Sequence, residues 1–361
     1  MLLSRLILIL TLVTVSLINI ILLSRTIRFA SDNSDVDPEI HRFQVSPYMR
    51  RKQSSQLPDL YAIDWPRPIV SKYPAGVPQG DGRSRYLPPP FGPAMSIGQL
   101  RLYRRLMRVF SDVMFDNGMG DRFMLTAGTL VGSFHHHDFI PWDDEVDFMV
   151  DVSVRDKVRT LLGRLEPEYQ MALNKNRDKF FAKASEYSTI DTNVELSLPI
   201  PRYKWNWPFL DLLYYESNET HVAEINPSYV KQMSWPKDVI FPLYFRPFGP
   251  AWFPAPKNPL AFLRMRYGNG STCKIAGYSH VIEDHIPNAT SNCQELVTRY
   301  PFVVHKPCGL IRLGNKRREM VLGEESLSVH SAYWSPSVIH TMCLAVAEES
   351  SRAHLYDYSR I

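Results

Sequence analysis

The sequence predicts an α/β (α+β) domain carried behind an apolar N-terminal segment and a proline-rich stretch. Three observations carry this reading. Helix-like and strand-like periodicities alternate after residue 96, residues 6–23 are almost wholly apolar, and 28 prolines against 17 glycines point to extended connections rather than a helical bundle or solenoid. At 361 residues and 45% hydrophobic, the chain is long enough for one large domain or two ordinary ones with a real core. The 41 Lys+Arg against 37 Asp+Glu leave a net charge of +4, too slight an excess for a dedicated nucleic-acid binder.

The run Leu6 to Leu23 is broken only by Thr11, Thr14, Ser16 and Asn19, and is bracketed by Arg5 in front and by Arg25 and Arg28 behind. At ~1.5 Å per residue, roughly 18 residues reach about 27 Å, enough to cross a thin bilayer as a helix. A cleavable signal peptide is the alternative. Its apolar region would be only about 7–15 residues and end in small residues, whereas Arg28 sits just before Ala30, which favours an uncleaved anchor. The flanking charges do not fix the orientation. From Ser31 to about Pro93 the prolines and Arg50-Arg51-Lys52 read as a stalk, in which Tyr61, Ile63, Trp65, Ile69 and Tyr73 can pack part of the segment along the domain.

Ser96 caps an expected helix to about Asp116, with Ile97, Leu100, Leu106, Val109, Phe110 and Val113 opposite Arg101, Arg104, Arg105 and Arg108. A short strand from Phe123 to Ala127, a helical turn or short helix from Gly128 to Phe134, a strand from Glu145 to Val150 and a helix from Ser153 to Leu165 follow. Strands are expected again at 170–173, 179–183, 209–215 and 221–225, then a loop region to Pro256 and a helix near 258–267. The apolar run Val338 to Ala347 is too short to span a membrane.

Sequons at Asn218, Asn269 and Asn288 and all four cysteines, Cys273, Cys293, Cys308 and Cys343, lie in the later half, which fits a luminal body. The cysteines allow two disulfides in three connectivities, or four reduced thiols in a core. No Cys-x-x-Cys pair is present, which argues against a zinc ribbon.

The chemistry concentrates between Thr126 and Val150. Glu145 and Asp147 stand two apart on an expected strand, so both carboxylates leave one face and can hold a divalent metal such as Mg²⁺, whose remaining waters phosphates can replace. Asp211, inside the apolar run Phe209 to Tyr215, is the candidate third acid, because a charge there needs a partner. The bland alternatives are solvated strand-end acids, or an ion pair of Asp211 with Arg202 or Lys204. Gly128 and Thr129, opening a helix after a strand, can offer N–H groups and a hydroxyl to phosphate oxygens. The run His135-His136-His137 is a weak transition-metal signal, since neighbouring residues rarely converge on one ion. Trp142, Trp205, Trp207 and Trp235 can stack on a base or pack in the core. The default for Arg312, Lys316, Arg317 and Arg318 is a solvated basic loop.

Gly128-Thr-Leu-x-Gly132, His136-x-x-Phe-Ile-Pro-Trp-Asp-Asp144 and Asp147 together resemble the hallmark of the LicD family, whose members include bacterial phosphocholine transferases and fukutin-like proteins. Phe209-Leu-Asp211, Phe253-Pro-Ala-Pro256, Leu263 and Arg266-Tyr267-Gly268 extend the resemblance, which covers about Phe123 to Gly268. It implies a nucleotidyltransferase-like mixed sheet flanked by helices, using Mg²⁺ or Mn²⁺ to transfer a phosphorylated alcohol from a CDP-linked donor to a glycan or glycoprotein hydroxyl. On this resemblance Glu145, Asp147 and Asp211 are the catalytic and metal-holding acids, and Gly128, Thr129, His136, Trp142, Asp143 and Asp144 serve the donor. Two positions depart from the family pattern, Glu145 where Asp is common and His135 where Arg is common. The expected organisation is an anchor at 1–28, a stalk at 29–95, a catalytic domain at 96–270 and an extension at 271–361, as a Golgi or secretory-pathway type II protein with its catalytic domain luminal. Two rivals stand beside it, a type II glycosyltransferase using a nucleotide sugar and a non-catalytic luminal glycan-binding protein of the same fold.

Overall fold

A computed structural model of the chain describes residues 38–49, 55–80, 82–186, 191–225, 233–268, 272–275, 277–308, 320–330 and 336–353. The apolar run Leu6 to Leu23, the Asn269 sequon and the basic residues Arg312 and Lys316 to Arg318 lie outside the described residues. No helix among the described residues is long and apolar enough to cross a membrane. The chain divides into two units, 1–42 and 43–361; of the first, the short helix Pro38–His41 is described. All that follows concerns the second.

Helix α1 (Ile97–Asp116) begins where the sequence places it, because Ser96 and Gln99 form a reciprocal capping box. The Ser96 side chain accepts from Gln99 N–H, and the Gln99 side chain accepts from Ser96 N–H. Gln99 also grips Ala75 through both main-chain groups, which ties the proline-rich segment to the helix start. Val77, Leu196 and Leu198 form a small buried cluster under Tyr73, and Trp252 Nε1 donates to Pro58 O, so part of this segment packs on the domain. Of the aromatic residues expected to hold it, Tyr61 is exposed, and Trp65 lies edge-on to His340. Leu106, Phe110 and Met114 of α1 are fully buried. Burying each such side chain contributes about 1.5–3 kcal/mol.

The central sheet is mixed and seven-stranded. Its members are β1 (Phe123–Leu125), β2 (Val146–Asp151), β3 (Tyr169–Ala172), β4 (Arg177–Ala182), β5 (Phe209–Ser217), β6 (His221–Glu224) and β7 (Ser234–Pro236). β5 is central, running parallel to β2 and antiparallel to β4 and β6. Such a strand is buried on both faces, and Phe209 to Tyr215 accordingly reads as a nearly continuous apolar run. Between β1 and β2 lies α2 (Ala127–His136), and after β2 comes α3 (Arg155–Gly163). α1 packs on β5, β4 and α3, while α2 packs on β2.

The expected loop region before Pro256 contains a hairpin, β8 (Tyr244–Phe248) and β9 (Ala251–Ala255), which the density of proline and aromatic residues concealed. Helix α4 (Pro259–Tyr267) follows, capped by Asn258 with Pro at its first position, where a missing N–H costs nothing. Beyond it, β10 (Phe302–Pro307), β11 (Met320–Val329) and β12 (Ser337–Ala347) form an antiparallel meander, so the apolar run Val338 to Ala347 is a strand. β10 packs on α2. Cys273 is bridged to Cys293, and no second disulfide joins Cys308 to Cys343. Asn218 and Asn288 are exposed, as sequons require.

Candidate active site

The strand registers build the site. Asp147 of β2 is the direct partner of Asp211 of β5, and Asp211 is in turn the partner of Lys179 of β4. Directly opposed residues share a sheet face, so three neighbouring strands set Asp147, Asp211 and Lys179 in one row. Glu145 lies one residue before β2, which begins at Val146 rather than at the expected Glu145, and its carboxylate joins the same cluster.

The turn into α2 lies beside this row. Thr129 Oγ1 accepts Asp147 N–H at 2.8 Å, which joins the helix start to the strand. A Cβ on Gly128 would stand 2.4 Å from Asp143 Oδ2, so the missing side chain is what lets that carboxylate approach. Ala127 carries φ +46°, a left-handed conformation costly for a residue with a Cβ, and Thr126 Oγ1 is buried without a hydrogen-bond partner.

Three cations face the acids. Lys179 Nζ is 2.8 Å from Asp211 Oδ1 and 3.2 Å from Glu283 Oε1, and Arg177 Nη1 is 3.1 Å from Asp211 Oδ2. His280 Nε2 is 2.7 Å from Glu145 Oε2. Burial alone would raise the Asp211 carboxyl, but Lys179 and Arg177 outweigh it and hold the group below its ordinary range. The Glu145 carboxyl is likewise lowered, with burial overcome by His280. Asp143 and Asp147 go the other way, pushed well up by burial and by the neighbouring Glu145. Asp147 is 2% exposed, and its Oδ2 has no hydrogen-bond partner. Burial and negative charge in excess of its partners are the conditions that a divalent cation relieves.

The site residues expected from sequence therefore separate into groups. Gly128, Thr129, Asp143, Glu145, Asp147 and Asp211 come together around the start of β2. Asp144 serves as an anchor: its Oδ2 accepts from Ser279 Oγ at 2.8 Å and from the N–H groups of His280 and Val281 at 3.0 and 3.4 Å. His136 and Trp142 pack against each other and against Phe302, and His136 Nδ1 lies 2.8 Å from Pro301 O. His135 is fully buried, with burial holding its imidazole well below the ordinary range, so it presents no cation to a phosphate. The partners of Asp211 are Arg177 and Lys179 rather than Arg202 and Lys204, which are exposed.

Sequence reasoning missed Arg177, Lys179, His280 and Glu283. Arg177-x-Lys179 repeats in positive charge the period-two spacing of Glu145-x-Asp147, a signal available in the strand pattern. His280 carries no such signal, because it reaches the acids from a segment about seventy residues beyond Asp211 in the chain.

Residues 120–258 match the family model described as LicD/FKTN/FKRP, nucleotidyltransferase domain. The proteins named Ribitol 5-phosphate transferase FKRP from Mus musculus and from Homo sapiens are each 26% identical to this chain over 175 residues. That alignment covers 47% of this chain and 32% of each relative, so the chain spans about a third of the length of the curated relatives it matches. The resemblance read from the Gly128 to Asp147 motif is thus borne out for the segment carrying Glu145, Asp147 and Asp211. α4 and His280 lie beyond the family match.

Proposed function

We propose, with the LicD-type domain of residues 120–258 as premise, that this chain is a metal-dependent transferase of a phosphorylated alcohol. It takes the group from a CDP-linked donor, releases CMP and joins the phosphate to a glycan hydroxyl. It works in the Golgi lumen behind a type II anchor at Leu6 to Leu23. The name of the relatives favours ribitol phosphate as the transferred group over phosphocholine.

The observation that carries the reading is the row Asp147, Asp211 and Lys179 with Glu145 at its edge, in which Asp147 Oδ2 is buried without a partner. Carboxylate oxygens on a rigid sheet fit a hard divalent cation, and Glu145, Asp147 and Asp211 would hold Mg²⁺ or Mn²⁺ there. Such an ion supplies charge neutralisation to the donor diphosphate and to the departing CMP. The chain's own groups do the remaining work. The turn into α2 offers backbone N–H groups to phosphate oxygens beside Asp143. Arg177 and Lys179 keep Asp211 ionised, so it can accept a hydrogen bond from the acceptor hydroxyl and aim that oxygen at phosphorus for in-line attack.

One observation favours a second reading. Asp211 already has two cationic partners, as a non-catalytic glycan-binding protein that has neutralised its acids would require. Thermal-shift titration of the purified chain with CDP, UDP and GDP, each with and without Mg²⁺ or Mn²⁺, separates these cases. Metal-dependent stabilisation by CDP is expected, worth about 2.7 kcal/mol at a hundredfold excess over Kd. It should disappear in Asp147→Asn/Asp211→Asn, and CDP-ribitol should then serve as donor. A preference for UDP or GDP would instead indicate a glycosyltransferase, and a folded protein that answers to none of them would indicate the binding protein.

A further inference from the structure

A short hairpin, Tyr278–Ser279 paired with Asp284–His285, stands over the acid row. It lies inside the loop closed by Cys273–Cys293, whose ends are also paired as strands Thr272–Ile275 and Ala289–Asn292. Asp144 Oδ2 gathers three donors from the start of this loop, Ser279 Oγ, His280 N–H and Val281 N–H. The main chain of His280 is therefore pinned from the acid motif itself. Its ring is held edge-on to Tyr278 and Phe209, with centroids 5.1 and 6.0 Å away. Both ring nitrogens face carboxylates, Nε2 at 2.7 Å from Glu145 Oε2 and Nδ1 at 3.5 Å from Glu283 Oε1.

One ligand atom from each of Glu145, Asp211 and His280 lies within 4.8 Å of the other two, a spacing at which all three can reach one ion. Asp147 Oδ2, buried and without a partner, belongs to the row of Asp211. Lys179 and Arg177 occupy Asp211 through one bond to each oxygen. A carboxylate oxygen has a further lone pair, so these bonds orient Asp211 without exhausting it.

Resting on the metal-dependent reading above, we propose that His280, releasing its Nε2 proton to solvent as the ion enters, is a nitrogen ligand of the ion held by Glu145 and Asp211, and that the centre consequently prefers Mn²⁺ over Mg²⁺. Mg²⁺ demands oxygen ligands in a near-ideal octahedron, whereas an imidazole adds affinity for first-row transition ions. The disulfide-closed loop thereby contributes a residue to the metal centre from outside the segment that matches the family.

Mn²⁺ bound to the purified full chain, observed by electron spin echo envelope modulation, reads the ligand directly. The expected spectrum shows coupling to one imidazole ¹⁴N, replaced by the ¹⁵N pattern when the protein is made with ¹⁵N-histidine. His280→Gln should abolish the coupling and weaken Mn²⁺ by about tenfold or more, with a smaller change for Mg²⁺. Circular dichroism checks that the variant is folded, and the labelled wild type needs no substitution. Mn²⁺ that binds in an Asp211-dependent way without nitrogen coupling overturns the assignment of His280 and leaves the metal-dependent reading standing. A folded wild-type chain that binds neither Mn²⁺ nor Mg²⁺ overturns both.

Discussion

Replacing Glu325 with Gln removes the charge at the centre of a buried network that joins the C-terminal meander to the acid motif. Glu325 is 1% exposed and meets Arg246 through two parallel bonds, Oε1 to Nη1 at 2.9 Å and Oε2 to Nη2 at 2.7 Å. Oε2 also accepts from His137 Nε2 at 2.7 Å, and His137 Nδ1 lies 3.0 Å from His340 Nε2. Burial would raise the Glu325 carboxyl, but Arg246 and the histidines around it hold the group well below its ordinary range, so it is an anion here. Arg246 is itself 1% exposed, and its remaining contacts are a 3.4 Å bond to Ser133 O and the face of Phe134. Stranding a buried guanidinium in this way costs about 3–5 kcal/mol, a large fraction of the ~5–15 kcal/mol that stabilises a typical domain. Urea unfolding of the oxidised protein, followed by tryptophan fluorescence, should show that loss. Replacing both members, Arg246→Met with Glu325→Met, should restore most of it, because no charge is then left buried. A loss below about 1 kcal/mol in Glu325→Gln, or a double variant no more stable than the single one, would refute the reasoning.

Two other perturbations probe the motif. In Gly128→Ala the new Cβ displaces Asp143, while alanine favours the helix by up to about 1 kcal/mol; CDP and metal binding should fall with no loss of thermal stability. Lowering the pH should destabilise the fold through His136, whose imidazole burial pushes down to about 4. Between the ordinary value near 6.5 and that value the unfolded chain binds the extra proton. Stability is therefore full above about pH 6.5 and falls by roughly 3 kcal/mol as the pH drops through about 4. Denaturation at a series of pH values should show this slope, and His136→Phe should remove this histidine's share of it, with His135, His137 and His340, whose imidazoles burial also holds down, still acting in the same direction.

The elements were legible in sequence where local chemistry dictates them. Ser96 marks the start of α1, a helix was expected near Asn258 to Tyr267, where α4 lies, and the short apolar run Phe209 to Tyr215 reads as a strand, because these signals are local. The β8–β9 hairpin was not legible, since prolines and aromatic residues masked its alternation. His136 and Trp142 belong to the motif by position, yet pack with Phe302 from a strand more than 150 residues on, which no local pattern reveals.

By itself the sequence determined the acids and their spacing. Glu145 and Asp147 stood out by a period of two and Asp211 by the cost of an unpaired charge in an apolar strand, and the resemblance to the LicD motif joined them into one candidate site. The tertiary structure alone decided what faces them. Register across three strands set Lys179 beside Asp211, and a loop closed by Cys273–Cys293 brought His280 to Glu145. Both depend on pairings between residues far apart in the chain, and the periodicity of one strand carries no information about which other strand, or which loop, lies against it.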